Sequence, residues 1–233
     1  MDTLSNKDIK FIRSLHEKKF RDEFGMFIVE GEKMVAEASA SGFDVVLTVR
    51  RDEVGGNVME RISACSSPSP VIAVVRKPAP VSFPASGLCL ALDSVRDPGN
   101  MGTILRLADW FGLDCIFASQ DSVEVFNPKV VQASMGAVFR KKLIYCDIAD
   151  KCREFLEAGM DVFGTFLSGE DIYKESLPGE GLIVMGNEAN GISDAVAARC
   201  SRRLTIPSFG GGAESLNVSI AAAIVVSEFR RWK

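Results

Sequence analysis

The chain has 233 residues, 47% hydrophobic and 25% charged, with no internal repeat; this is the usage of one large or two small globular domains and excludes a disordered or fibrous chain. Its 27 basic and 31 acidic residues give a net charge of −4, which excludes a protein that holds nucleic acid by bulk positive charge and leaves only local patches for that purpose. No apolar run approaches the roughly 20 residues of a membrane span, and the start, MDTLSNKDIKF, lacks a signal peptide's apolar stretch, so a cytoplasmic protein is expected.

In chain order, the first feature is a basic segment from Lys7 to Arg21 with six cations, two carboxylates and the aromatics Phe11 and Phe20, the strongest candidate for phosphate contacts. His16, within it, is expected as a solvated side chain rather than a general base. MFIVE (26–30), DVVLTV (44–49) and VIAVV (71–75) predict strands, with a helix from Gly31 to Ser41. Over residues 1–80 the charges cancel, 12 against 12, so only the N-terminal segment gives this small α/β module a basic face. RKPAPVSFPASG (76–87), with three prolines, predicts a linker.

After the linker come short continuous apolar runs at 88–92, 113–118, 142–146, 160–166, 181–185 and 203–207. Strands buried on both faces have this pattern. Helices are predicted between them, at Asn100–Phe111, Pro128–Phe139, Ile148–Ala158 and Ser215–Trp232. The alternation implies a parallel sheet with flanking helices, whose ligands bind outside the carboxyl ends of the strands. Six scattered cysteines with no C-x-x-C pair predict reduced, packed thiols and no metal site. Further basic groups stand at Arg140–Lys142, at Arg199, Arg202 and Arg203, and at Arg230, Arg231 and Lys233.

The loops exclude the commoner nucleotide binders, because neither G-x-G-x-x-G nor G-x-x-x-x-G-K-[ST] occurs. Instead, DSVRDPGNMGTILR follows the run at 88–92, with Asn100 suited to cap the next helix, Gly102 permitting close approach and Arg106 near the strand ends. GNEANGIS follows GLIVM and delivers Gly186 and Glu188 to a pocket lip, with Ser193 as the next cap. IPSFGGGAESLNVS carries three glycines, Ser215 as the expected cap of the last helix, and Asn217 in its first turn.

Asn100-x-Gly102-x-x-x-Arg106, then MGNEANGI (185–192), then Ile206-Pro207 with SLNVS (215–219), in that order, resembles the SpoU branch of RNA 2′-O-ribose methyltransferases, and NPKVVQASMGAVFR (127–140) is similar to that family's intervening segment. The likeness covers residues 88–230. The N-terminal part resembles the family's substrate-binding domain, an L30e-like RNA-binding module.

The resemblance implies an L30e-like α/β domain (residues 1–80) before a C-terminal α/β trefoil-knot methyltransferase domain (81–233), acting as a homodimer. It implies S-adenosyl-L-methionine held by backbone groups at Gly186, Ile206, Leu216 and, more weakly, Leu167. Arg106 then matches the family arginine that contacts the phosphate and activates the 2′-hydroxyl; because a guanidinium stays protonated, orienting the ribose and its phosphate is the favoured role. Ser215 and Asn217 would hold Arg106 or the ribose, and Glu188 would fix its loop or pair with the arginine across a dimer interface. The expected RNA contacts are Lys10, Arg13, Lys18, Lys19 and Asn100. Ribosomal RNA is favoured over tRNA. The alternative is a noncatalytic RNA-binding or ribosome-assembly protein on the same fold. The longer glycine-rich stretch SFGGGAE departs from the family pattern and is expected to loosen the cofactor loop.

Overall fold

The structure, a computed structural model, describes residues 4–210, 212 and 214–231. Trp232 at the end of the expected last helix, Lys233 of the terminal basic group, and Gly211 and Ala213 of the glycine-rich loop lie outside the described residues.

The elements in order are α1 (Asn6–Ser14), α2 (Lys18–Phe24), β1 (Met26–Glu30), α3 (Glu32–Ala40), β2 (Val45–Arg50), α4 (Arg51–Val54), α5 (Gly56–Ile62) and β3 (Val71–Arg76). Then come β4 (Leu88–Leu92), α6 (Pro98–Trp110), β5 (Ile116–Ala118), α7 (Pro128–Ser134), a 3-10 turn (Ala137–Phe139) and β6 (Leu143–Tyr145). The chain closes with α8 (Ile148–Glu157), β7 (Val162–Asp171), β8 (Gly181–Met185), α9 (Asp194–Ala197), β9 (Arg202–Thr205) and α10 (Val218–Arg230). They form two compact units: the chain up to Ala79 with Glu124–Arg140, and Pro80–Val123 with the chain from Lys141 onward.

The first unit is built on an antiparallel sheet in the order β1-β3-β2. Its central strand, VIAVV, is an unbroken apolar run because both of its faces are covered. Alternate residues of β1 and β3 face opposite ways: Ile28, Ile72 and Val74 join Ile12, Met59 and Ile62 from α1 and α5, whereas Phe27 packs 4.4 Å from Phe126 and near Phe43.

Phe126 belongs to the returning segment 124–140, which the linear division at residue 80 leaves on the other side. Several contacts hold it in this unit. The Arg21 guanidinium, 1% exposed, pairs with Glu124 at 2.5 Å and donates to the Leu15 and His16 carbonyls. Lys77 reaches both Glu124 and Asp22 at 2.8 Å. Arg140 pairs with Glu37, and Phe139 packs against Phe43 at 5.1 Å. The single helix expected over 128–139 is broken: Met135 (φ 49°) and Gly136 (φ 92°) both enter the left-handed region, and a Cβ on Gly136 would strike the Glu37 carboxylate. His16 is not solvated either; half-buried, its Nε2 donates to the Ile62 carbonyl at 2.9 Å and joins the end of α1 to that of α5.

The second unit is a six-stranded, wholly parallel sheet in the order β6-β5-β4-β8-β7-β9. β4 and β8 are entirely buried in its middle. From β4 the chain adds β5 and β6 on one side and β7 to β9 on the other, so the order reverses between β4 and β8 and opens a crevice at their carboxyl ends. Cys89, Cys115, Cys152, Phe117 and Phe155 contribute to one core cluster; Phe163 meets Phe229 of α10 at 4.9 Å.

Candidate active site

The crevice is bounded by the loops after β4 and β8, and hydrogen bonds fix each to the other. Asn187 Nδ2 donates to the Ser94 carbonyl at 2.7 Å, and the Ser193 amide donates to Asp93 Oδ2 at 2.7 Å. Ser94 holds a positive φ of 65°, a conformation a non-glycine residue keeps only where its surroundings dictate it; its amide donates to Ser119 Oγ. The loop after β8 also closes on itself: Asn187 and Gly191 exchange both backbone hydrogen bonds at 2.9 Å, and Asn187 Oδ1 accepts from the Ala189 and Asn190 amides. Gly186 makes this possible, because a Cβ there would run into the backbone of Gly191 and Ile192.

From that loop Glu188 reaches α6. Asn100 Nδ2 donates to Glu188 Oε1 at 2.7 Å, and Asn100 Oδ1 accepts from Asn217 Nδ2 at 2.9 Å. Asn217 Oδ1 then accepts from the Ser219 amide (2.9 Å), the Ser219 hydroxyl (2.7 Å) and the Ile220 amide (3.4 Å) at the start of α10. A carboxylate only accepts and backbone amides only donate, so both ends of this relay dictate which way each amide points. The three loop motifs thus meet in one chain, Glu188–Asn100–Asn217. Two expected caps are corrected by it. Asn100 is not the cap of α6: Asp97 is, its Oδ1 accepting from the Asn100 amide at 2.8 Å with Pro98 in the first turn. Asn217, not Ser215, caps α10.

The other expected catalytic residues stand nearer the solvent. Arg106 lies exposed on α6, with no hydrogen bond or ion pair to any described residue, whereas Gly102 is buried. Ser215 and Leu216 are exposed just before the α10 cap. Glu188 is paired with Asn100 and not with Arg106 of its own chain.

Three of the expected cofactor residues lie on neighbouring strands: Leu167 within β7, Gly186 just after β8 and Ile206 just after β9. β7 pairs Thr165 with Leu204, then pairs Glu170 with Leu204 again, so residues 166–169 loop out of the sheet. Leu167 on that loop is 80% exposed, and its carbonyl accepts from Thr205 Oγ1 at 3.2 Å, beside Ile206. Thr165 Oγ1 donates to the Val184 carbonyl on β8, two residues before Gly186. Leu167, 80% exposed, and Leu216, 48% exposed, leave apolar surface of the kind that fits the adenine of S-adenosylmethionine. Arg203 lies over the Phe166 ring at 3.4 Å, while Arg202 is committed to Glu170 and Glu175, both at 2.6 Å.

In the first unit Lys10, Arg13, Lys18 and Lys19 are all exposed, but Lys18 is paired with Asp22 at 2.6 Å, and Arg21 is withdrawn from the basic segment into the interior. Burial pushes the thiols of Cys89 and Cys152 up to about 12, and those of Cys115, Cys146 and Cys200 up to about 11, so none is a nucleophile at neutral pH. Among the described residues no group of three or more His, Cys, Asp or Glu could hold a metal ion. Asp93, Asp97 and Asn187 were missed by sequence reasoning. Only Asp97 had a local signal, an aspartate before the proline of a helix start.

Residues 87–227 match the SpoU rRNA methylase family, and residues 6–73 match the MRM3-like substrate binding domain. The chain is 29% identical to the 23S rRNA (guanosine(2553)-2′-O)-methyltransferase RlmP of Bacillus subtilis, over 99% of this chain and 98% of that one. A TrmH-family protein of Porphyromonas gingivalis has the same architecture (TM-score 0.90, 41% identity, 99% and 100% of the two chains). So has an AdoMet-bound rRNA methyltransferase of Sinorhizobium meliloti (TM-score 0.89, 31% identity, 100% and 97%). With its three loop motifs joined in one hydrogen-bonded relay and its sheet matched throughout, the chain belongs to the SpoU rRNA methylase family of S-adenosylmethionine-dependent RNA 2′-O-ribose methyltransferases.

Proposed function

We propose that this RNA 2′-O-ribose methyltransferase acts on ribosomal RNA of the large subunit, with residues 1–80 holding the RNA and 81–233 transferring the methyl group. The observation that carries the assignment of roles is the Glu188–Asn100–Asn217 relay. S-adenosylmethionine, when bound, supplies the electrophilic methyl group. Gly186, Ile206, Leu216 and Leu167 hold it through their backbone. Arg106, a cation without a partner among the described residues, donates to the phosphate and ribose oxygens and orients the 2′-hydroxyl in line for transfer. Asn100, with both ends of its amide occupied inside the protein, positions Glu188 and Asn217 rather than touching RNA. Ser215, exposed two residues before the α10 cap, takes a hydrogen bond to the substrate. Lys10, Arg13 and Lys19 take phosphates in the first unit.

The protein acts as a homodimer. Trp110, 86% exposed on α6, and a shallow cavity lined by Phe111, Tyr173, Ala223 and Ile224, with Ser227 and Glu228, support a second copy covering this side of the second unit. Its place is the cytoplasm, where ribosomal RNA is its substrate; no described helix is long and apolar enough to cross a membrane. The test is incubation with methyl-labelled S-adenosylmethionine and either large-subunit ribosomal RNA or total tRNA, followed by nuclease mapping. A 2′-O-methylated nucleoside in the ribosomal RNA is expected. Label confined to tRNA overturns the substrate, and label in neither overturns the enzyme.

A further inference from the structure

Three phenylalanines of the first unit form an aromatic cluster at the edge of the basic segment. Phe20 and Phe24 stand one turn apart on α2, with ring planes 12° from parallel and centroids 6.2 Å apart. Phe11 of α1 meets Phe24 edge-on at 5.2 Å. Although packed on two rings, Phe24 remains 39% exposed. Lys19 Nζ lies 5.6 Å over the Phe20 ring, so one end of the series already carries a cation and Phe24 is its open end.

The surrounding charge is mixed but ordered. Lys7 and Lys10 are exposed on the turn of α1 that carries Phe11, and Arg13 is exposed one turn on. Of the nearby carboxylates, Asp22 is neutralised by Lys18 and Lys77, Asp8 is spent in the Ser5 capping box, and Glu17 and Glu23 remain exposed. A surface so nearly balanced binds phosphates weakly. An exposed aromatic face beside a few free lysines instead suits a nucleobase with its phosphates alongside. Bases inside an A-form duplex are stacked on one another and cannot reach a ring; unpaired bases of loops and single strands can.

We propose that Phe24, backed by Phe11 and Phe20, is a stacking platform for an unpaired base of the RNA substrate, with Lys7, Lys10 and Lys19 taking the adjoining phosphates. The enzyme thereby selects a looped or single-stranded segment. The inference rests on the reading that the first unit binds RNA.

The test uses the full-length protein with two RNA probes, a hairpin whose unpaired loop carries 2-aminopurine and a blunt duplex of the same composition. Wild type binds the hairpin about tenfold tighter and quenches the 2-aminopurine fluorescence as the base stacks. Phe24→Leu keeps the apolar bulk but loses the aromatic face. It is expected to lose about tenfold on the hairpin, lose the quenching, and leave duplex binding, cofactor affinity and the salt slope unchanged. Phe24→Tyr restores both hairpin affinity and quenching. The platform is overturned if Phe24→Leu binds the hairpin like wild type, or weakens both probes equally. Wild type binding neither probe overturns the RNA-binding role of the unit itself, a distinct failure.

Discussion

Asn217 donates its side-chain amide to the Asn100 carbonyl oxygen at 2.9 Å across 117 residues of chain, and the same Asn217 caps the helix that follows it. One side chain therefore serves both stability and site geometry, and substitutions along the relay separate the two. Asn217→Ala is expected to cost about 1 kcal/mol of stability through the lost cap and to abolish most methylation. Asn100→Asp places a second carboxylate against Glu188 and is expected to slow transfer roughly 10²-fold by displacing the loop. Urea midpoints alongside single-turnover methylation distinguish these effects; wild-type rates in Asn100→Asp would remove the relay from the mechanism.

Arg106 gives the contrasting case. Since no described residue binds it, Arg106→Ala should leave stability within about 0.5 kcal/mol of wild type while reducing turnover roughly 10²–10³-fold. An unchanged turnover in the presence of saturating cofactor and RNA would strike it from the catalytic list.

Gly186→Ala tests the packing of the loop after β8. The added methyl meets the backbone of Gly191 and Ile192, which cannot yield without opening the Asn187–Gly191 pair. A loss of about 1–3 kcal/mol is expected from this overpacking, with weaker cofactor binding by calorimetry. Cofactor affinity equal to wild type would show the loop to be pliable.

The buried Arg21–Glu124 pair anchors the returning segment to the first unit. Glu124→Ala leaves the guanidinium buried without a carboxylate and should destabilise by about 3–5 kcal/mol, whereas Arg21→Met with Glu124→Leu should recover much of the loss. For the same reason deletion of residues 1–80, simple as the proline-rich stretch makes it look, strips the cover from Phe126 and Phe139 and is expected to yield an aggregating protein. A soluble, monodisperse truncation would show that segment 124–140 refolds elsewhere.

The thiols set an alkaline limit. An unfolded thiol ionises near pH 8.5, but the folded protein keeps Cys89 and Cys152 protonated to about pH 12. Above the unfolded value the unfolded chain binds fewer protons, so stability falls as pH rises from about 9 towards 12. Cys152→Ala should flatten that fall in denaturant midpoints measured at pH 8, 9.5 and 11. At neutral pH these buried thiols should resist iodoacetamide until the protein unfolds.

Much of the second unit was legible because strands buried on both faces are continuous apolar runs: the limits of β4 and β8 follow from LCLAL and GLIVM alone. The helices α1, α2 and α5 were not, since a segment as short as KKFRDEF carries only two apolar residues, too few to establish a period. The break at Met135 and Gly136 was hidden for a different reason: the glycine is dictated by Glu37, a residue far away in sequence. The same holds at the site. Motifs named its residues, but that Asn100 meets Glu188 and Asn217 depends on distances that spacing does not encode. Arg21 counted as a surface cation for want of its partner, 103 residues on.

The return of residues 124–140 to the first unit also orders events during synthesis. Phe27 and Phe43 emerge from the ribosome long before Phe126 and Phe139, with β4, α6 and β5 made in between. At about 5–20 residues per second the nascent N-terminal sheet spends some seconds with one aromatic face bare, its Arg21 still without a carboxylate. This domain therefore finishes folding after about a third of its neighbour has been made, and its unfinished face is a natural target for the chaperones that meet chains at the exit tunnel.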